Sequence, residues 1–581
     1  MILGRLRPVA PGALYALVLL ASFYPESLHP ARMILYVGDP LESAYLMAWH
    51  AHQVLRHPLH LFDANYLYPV KAAVATTEHH LLQGLALAPL TWLTGNPILV
   101  FNGAVALTAV LDAFAARKLA LALGCRGTGS WAAGALSAFN TYNVHEAPRV
   151  HIMLHAFLAL ALLELLFLLR REEPARAWRI AGWLLLAGLT ANYHLMYGAI
   201  LLGTVLVAAA VVDPSRVART LVRLAIPLAV AALLFLPVIL TYYRVATSQA
   251  FHRELPEGVD LGHYVSTAPG NLLYGPIGPH VRAQQSGPHF IGFFALAVAA
   301  IGLGGSMLRS GGDGLLPARQ WAPAAAGLAV LFILLSLGRD LTAFGHRLGP
   351  GPYRLLYSFV PGFQYLRIPE RFGLLAMLFV ALLVAQGLTV LEAAKLPVAA
   401  LVLAAIIPLE HLSLATRAIV VPVGDDVPPV YRWLARQPVH ALAEVPTYGE
   451  HTFRRETWEM YYSTYHFKPI VHGYTAYPTR ESILLRECAV RVPEKQALDC
   501  LEIWGVDTLI VHYPPPGRSL RQDSDLADFV GIPPRSFYRG VAAREAEGSL
   551  RRLASFDGPR SRIPGGRDVA FRIARPAAPR P

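Results

Sequence analysis

The chain has 581 residues, 55% of them hydrophobic and only 15% charged. A soluble protein of that length carries about a quarter charged residues, so a soluble enzyme is excluded and a polytopic membrane protein is expected. The formal charge of +12 comes from arginines spread through the short loops between apolar runs. That is the positive-inside pattern, which points to a lipid bilayer and away from nucleic acid as the partner.

In chain order, the apolar stretch 9–24 follows Arg5 and Arg7 and is not followed by a small-residue cleavage pattern, so it reads as a retained first helix. Placing Arg117/Lys118/Arg126, Arg170/Arg171/Arg176/Arg179, Arg216/Arg219/Arg223, Arg309/Arg319 and Lys395 in cytoplasmic turns gives about eleven transmembrane helices. The expected spans are 8–25, 97–117, 128–141, 152–169, 180–192, 195–212, 224–243, 289–308, 321–337, 371–390 and 397–413. The N-terminus is then cytoplasmic and the C-terminal part lies outside the cytoplasmic (inner) membrane. The apolar segment 81–94 is short and broken by Pro89, and reads as a helix lying in the outer interface. Outer loops are expected at 26–96, 142–151, 244–288 and 338–370.

Residues 1–413 thus form a helical membrane domain, 414–564 a small mixed α/β extracytoplasmic domain, and 565–581, rich in Pro, Arg and Ala, a disordered tail. In the soluble part, Pro422–Pro429 with Asp425 and Asp426 reads as a linker, 430–437 and 494–504 as helices, and 441–445 and 508–512 as strands. Cys125 falls in a cytoplasmic turn. Cys488 and Cys500 can pair outside the cytoplasm or stand as unpaired buried thiols.

The polar residues collect in the expected outer loops. Loop 26–96 carries Asp39, Glu42, His50, His52, His57, His60 and Asp63, then Glu78, His79 and His80. Turn 142–151 carries His145, Glu146, Arg149 and His151, with His155 a helical turn further on. Carboxylates and imidazoles together can activate a hydroxyl or hold a divalent cation. Asp39 is also placed to cap a helix starting near Leu41, Glu78 to sit as a charge at a helix N-terminus, and the histidines to be interfacial surface residues. Arg367 and Arg371, four apart at the mouth of a span, suit bidentate binding of a lipid phosphate; snorkelling anchors are the other reading.

The order of these parts resembles the C-type glycosyltransferase membrane fold, whose members include protein mannosyltransferases, oligosaccharyltransferases and lipid A aminoarabinose transferases. The resemblance rests on Gly38-Asp39-Pro40 opening the first outer loop and on Phe139-Asn140-Thr141-Tyr142 with Arg149, His151 and His155. Leu366-Arg367-Ile368-Pro369-Glu370-Arg371-Phe372 and the C-terminal soluble domain complete it. It implies a transferase that takes a sugar from a polyprenyl-phosphate-linked donor and passes it to a glycan, lipid or protein acceptor. It implies Asp39 as base or metal ligand and matches the second outer loop's acidic or histidine positions to His145, Glu146 and His151. Beside it, the residues themselves offer Glu78 as a further catalytic carboxylate and Arg149, Arg367, Arg371, His79 and His80 for substrate binding. A divalent cation on Asp39, His145 and His151 is the cofactor option. The paired acidic motif of many members is absent, since Asp39 is followed by Pro40 and Glu146 is preceded by His145.

Two other classes compete. A transporter or flippase of lipid-linked glycans requires charges along its spans. Few occur here: Asp112 and Glu164 near cytoplasmic ends, Glu410 and His411 near an outer end. A non-catalytic assembly protein retaining the fold is the second rival.

Overall fold

The computed structural model describes residues 10–268, 270–275, 288–308, 314–413, 418–448, 453–520 and 530–574. Arg5, Arg7, Arg309, residues 276–287 of one expected outer loop and the tail end 575–581 lie outside the described residues. The protein is mostly helical and divides into two compact units. One comprises Met1–His29, Asn102–Ile239 and Phe251–Arg417; the other comprises Pro30–Phe101, Leu240–Ala250 and Ala418–Pro581.

This division departs from the expected boundary at 413/414, because the first outer loop clusters with the C-terminal segment. The cause is backbone pairing, which hydropathy does not register. Met33–Ile34 pairs antiparallel with Ile419–Val420. Leu67 N donates to His472 O at 3.1 Å, Tyr68 N to Ile470 O at 2.9 Å, and Ile470 N to Asn65 O at 2.8 Å. Buried polar backbone groups require partners, and these two distant segments supply them to each other.

In the first unit, each of the described apolar segments forms a helix. Five helices are long and apolar enough to cross a membrane among the described residues: Pro97–Ala122, Asn192–Val212, Pro214–Ser248, Ala318–Ser336 and Pro369–Ala393. Gly127–Met153 and Ala156–Arg171 pass the same test as a pair bent by 74°. The apolar helices Gly12–Ser22, Phe293–Leu308 and Pro397–His411 are shorter. Helix Gly373–Ala393 is the central strut, buried on every side from Gly373 to Leu388. Small residues let its neighbours approach to backbone contact. A Cβ on Gly387 would strike Val298 O, one on Gly302 would strike Leu383 O, and one on Gly129 would come within 2.5 Å of Ala385 O.

Acidic groups in this unit are matched locally. Glu164 takes Arg176 at 2.7 Å, and Glu172 takes Arg223 at 2.8 Å and Arg219 at 3.1 Å, so the basic turns carry their own counter-charges. Glu410 accepts the backbone N–H of Phe294 at 3.0 Å and of Ala295 at 3.1 Å. It therefore caps helix Phe293–Leu308.

In the second unit, a four-stranded sheet runs in the order Leu442–Val445, Thr508–Tyr513, Arg567–Ile573, Leu550–Asp557. The first pair is parallel and the others antiparallel. The expected disordered tail is corrected here: Arg567–Ile573 is an inner strand, placing Val569, Phe571 and Ile573 in the hydrophobic core. Alternation along that strand outweighs the Pro and Arg content of the residues after it. Cys488 and Cys500 form a disulfide joining helices Arg480–Arg491 and Lys495–Ile503. The segment 81–94 is not one helix but two, Leu81–Ala86 and Ala88–Thr94, broken at Leu87 ahead of Pro89.

Candidate active site

The expected site residues fall into both units, and each set is described on its own. In the helical unit the turn 142–151 is itself mostly helical. Asn140 caps Thr141–Glu146 by accepting Asn143 N at 3.0 Å, and His411 Nδ1 accepts Thr141 N at 3.3 Å. These fix Glu146 at the helix end, buried at 4% exposure. Arg149 Nη1 donates to Glu146 Oε1 at 2.8 Å, and Arg371 Nε stands 3.6 Å from Glu146 Oε2. Glu146, expected as a catalytic carboxylate, thus stands between two guanidiniums.

Arg371 is also buried, with its guanidinium 4.5 Å over the ring of Tyr193. That cation–π contact holds a planar fork more tightly than a flexible ammonium. Tyr193 OH accepts the backbone N–H of Arg367 at 3.4 Å, and the Arg367 side chain is exposed. His289 Nε2 donates to Glu370 O at 3.0 Å, and its ring stacks on Tyr142 at 3.9 Å. Tyr142 lies within the electrostatic reach of Glu146, Glu370, Arg371 and Tyr197. Among the described residues the buried hydroxyls of Tyr142 and Tyr197 have no hydrogen-bond partner.

His145 is exposed, while His151 is buried and its carbonyl accepts His194 Nε2 at 2.9 Å. His155 Nδ1 lies 3.4 Å from Asp112 Oδ2, and its Nε2 lies 3.1 Å from Ser137 Oγ. Helix Asn192–Val212, which carries Tyr193 and Tyr197, also lines an apolar groove of about 570 Å³ with Gly198, Leu202, Gly203 and Leu206. Leu165 and Phe235 close other sides.

In the second unit, Asp39 does not cap a helix. Gly38 occupies the cap position of helix Asp39–Arg56, and Asp39 is its first residue, where the helix dipole favours a negative charge. Nor is Asp39 open at the surface: it is 6% exposed and accepts Tyr36 OH at 2.9 Å. One turn on, Glu42 accepts Thr77 Oγ1 at 2.8 Å.

Of the histidines read as surface residues, His50, His52, His57 and His60, the structure corrects His50 and agrees at His57 and His60. His50, His79 and His80 are buried; His57 and His60 are exposed, and His52 stacks on Phe467 at 3.6 Å. His50 Nε2 donates to His79 O at 2.5 Å, and the His79 ring sits between Phe62 and Tyr242. His80 Nδ1 donates to Glu78 O at 3.0 Å, which leaves Nε2 to accept Ser43 Oγ at 3.1 Å. Burial pushes both His50 and His80 down to about 4. His80 is thus neutral near pH 7 and provides no positive charge for a phosphate. Glu78 is half-buried.

Among the described residues no group of three His, Cys, Asp or Glu side chains is arranged to hold a metal ion. The donor sets agree with that: Asp39 accepts from Tyr36, and Glu146 lies between two arginines. Tyr36, Tyr193, Tyr197 and His289 carry no signal in the sequence beyond an aromatic or imidazole near an apolar run; Tyr142 enters only within Phe139-Asn140-Thr141-Tyr142.

No protein-family model and no curated protein matches the sequence. Solved structures do match. The arabinofuranosyltransferase AftD from mycobacteria matches over 98% of this chain at 16% identity and a TM-score of 0.55; this chain spans 40% of its length. An oligosaccharyltransferase from Archaeoglobus fulgidus matches over 98% of this chain and 74% of its own, at 12% identity and a TM-score of 0.47. ArnT from Cupriavidus metallidurans, bound to undecaprenyl phosphate, matches over 98% of this chain and 99% of its own, at 12% identity and a TM-score of 0.34. The likeness to AftD is one of fold. This chain has the C-type glycosyltransferase fold and is a multi-pass membrane protein.

Proposed function

We propose that this protein is an integral membrane glycosyltransferase that takes a sugar from a polyprenyl-phosphate-linked donor and transfers it to an acceptor at the outer face of the cytoplasmic membrane. The observation that carries the reading is the Glu146–Arg149–Arg371 cluster on the Tyr193 ring, beside the unpartnered hydroxyls of Tyr142 and Tyr197. Two carboxylates, Glu146 and Glu370, stand against the guanidiniums of Arg149 and Arg371, whose forks suit a phosphate, and the exposed Arg367 lies four residues before Arg371. The helix that carries Tyr193 and Tyr197 also lines the apolar groove, which suits the donor's prenyl chain.

In the reaction, the bond between sugar C1 and the phosphate oxygen breaks while a bond from the acceptor oxygen to C1 forms. Asp39 accepts the acceptor's proton. Arg371 and Arg367 offset the negative charge that gathers on the departing phosphate. Glu146 keeps Arg149 and Arg371 in place. The full set of eleven spans, with the N-terminus cytoplasmic, puts loop 26–96 and the C-terminal segment outside. The Cys488–Cys500 disulfide supports that side, since structural disulfides persist in oxidising compartments. Because guanidiniums supply the positive charge, transfer should proceed in the presence of EDTA. Loss of activity in EDTA and its return with magnesium would reinstate a metal.

The test uses membranes containing the protein and total polyprenyl lipids extracted from source cells grown on radiolabelled sugar. Asp39→Asn should slow the loss of label from the lipid pool by about 100-fold or more, the usual range for a general base. Undiminished transfer would remove Asp39 from the chemistry.

A further inference from the structure

Arg454 lies beyond the whole helical unit in sequence, yet its side-chain stem lies across Gly38, the neighbour of Asp39. A Cβ on Gly38 would stand 2.7 Å from Arg454 Cδ and 2.9 Å from its Cγ, and Gly38 has φ +134. Glycine is thus needed there twice, for the backbone conformation and for the arginine stem that lies across it. Asp39 is the foremost charged partner that acts on the Arg454 guanidinium, followed by Tyr474 and Tyr36. The guanidinium stands 5.7 Å from the centre of the Tyr474 ring. Arg454 itself is an exposed residue, whereas Asp39 is buried.

The geometry points to Arg454 as the positioning residue for Asp39, through which the C-terminal segment completes the site that receives the acceptor. The inference rests on the proposed role of Asp39 as base. The groups around that carboxylate include Tyr36 from its own loop, His80 from the start of helix Leu81–Ala86, and Arg454 from the C-terminal segment, whose guanidinium lies by the Tyr474 ring. Glu42 follows one turn along the same helix. His80 is neutral near pH 7, so Arg454 is the cation in this group. It favours the carboxylate form, and with the Tyr36 hydrogen bond it fixes which oxygen faces an incoming hydroxyl. A base that had to be deprotonated and turned at each cycle would lose the advantage of preorganisation.

The experiment is carbodiimide labelling of the full-length protein in lipid nanodiscs, with the Asp39 peptide quantified by mass spectrometry across a pH series. The reagent takes the protonated carboxyl, so the labelling midpoint follows its proton. Arg454→Gln should move that midpoint up by about one pH unit or more, and Arg454→Lys should leave it within a few tenths. Arg454→Cys should behave like the Gln variant and return toward wild type once aminoethyl methanethiosulfonate restores the positive charge. That comparison is made on a single folded preparation, which excludes misfolding as the cause. A midpoint that ignores the charge at position 454 in all three variants would overturn the inference. Full transfer by Asp39→Asn would defeat the base assignment instead, and would leave the labelling result standing on its own.

Discussion

In the C-terminal sheet, His512 lies between Asp568 Oδ1 at 2.8 Å and Glu444 Oε2 at 3.1 Å, with both ring nitrogens engaged. In the helical unit, Glu146 lies between Arg149 and Arg371, and the adjoining Tyr142 and Tyr197 hydroxyls have no partner. Both clusters bury charge, and both balance it. The difference lies in what is left over at the edge. A cluster whose central ring is closed on both sides holds strands together, here Thr508–Tyr513 and its two neighbours in the sheet. One that leaves hydroxyls beside a guanidinium keeps capacity for an anionic ligand.

Breaking either cluster should cost the fold about the same, while lipid binding should respond to one alone. His512→Ala takes the shared cation from Glu444 and Asp568, and Arg371→Met takes one of two cations from Glu146; each should lower stability by about 3–5 kcal/mol, read as melting of the full chain in detergent. Arg371→Met should also abolish binding of undecaprenyl phosphate, and His512→Ala should not. Equal losses of binding in the two variants would break the comparison.

The pH response separates them next. Burial alone would lower His512, but its hydrogen bonds to Asp568 and Glu444 more than reverse that and raise it to about 9. The folded state therefore holds this proton more tightly than the unfolded chain. Its stabilising effect is complete below about 6.5, the unfolded value, and is lost as the pH rises through about 9. Hydrogen exchange of strand Thr508–Tyr513 should accelerate over that window beyond the intrinsic base-catalysed rate, and His512→Gln should remove the excess. The smallest effect belongs to Tyr142→Phe. It deletes a hydroxyl with no hydrogen-bond partner among the described residues, so melting should be unchanged while transfer falls about threefold, the scale of one modest hydrogen bond.

The architecture was largely legible because hydropathy and arginine placement report directly on a bilayer. Helices Asn192–Val212 and Gly373–Ala393 fall where apolar runs of spanning length predict them. What failed was whatever depended on partners distant in sequence. Nothing near Asn65 or Leu67 announces Ile470 and His472, so the first outer loop was assigned to the membrane domain rather than to the unit it joins. Strand Arg567–Ile573 was hidden by the composition of the residues that follow it.

The same holds at the site. Asp39, Glu146, Arg149 and Arg371 stood out as charges beside apolar segments. Tyr193 and Tyr197 did not, because an aromatic in a span is an ordinary bilayer residue until a guanidinium lies over it. His50 reads as a surface residue because the segment that buries it, with the His79 carbonyl, lies 29 residues further on. Arg454 carried no signal at all, as one basic residue among many.

The central claim is that the arginine cluster of the helical unit holds the donor's phosphate. Native mass spectrometry of the full-length protein, titrated in parallel with undecaprenyl phosphate and with undecaprenol, tests it most directly. The account predicts that the phosphate form binds at least about tenfold more tightly, a difference of about 1.4 kcal/mol, and that Arg371→Lys and Arg149→Gln each erase most of that margin. Equal affinity for the two lipids in the wild-type protein, or a phosphate preference untouched by both substitutions, would contradict it.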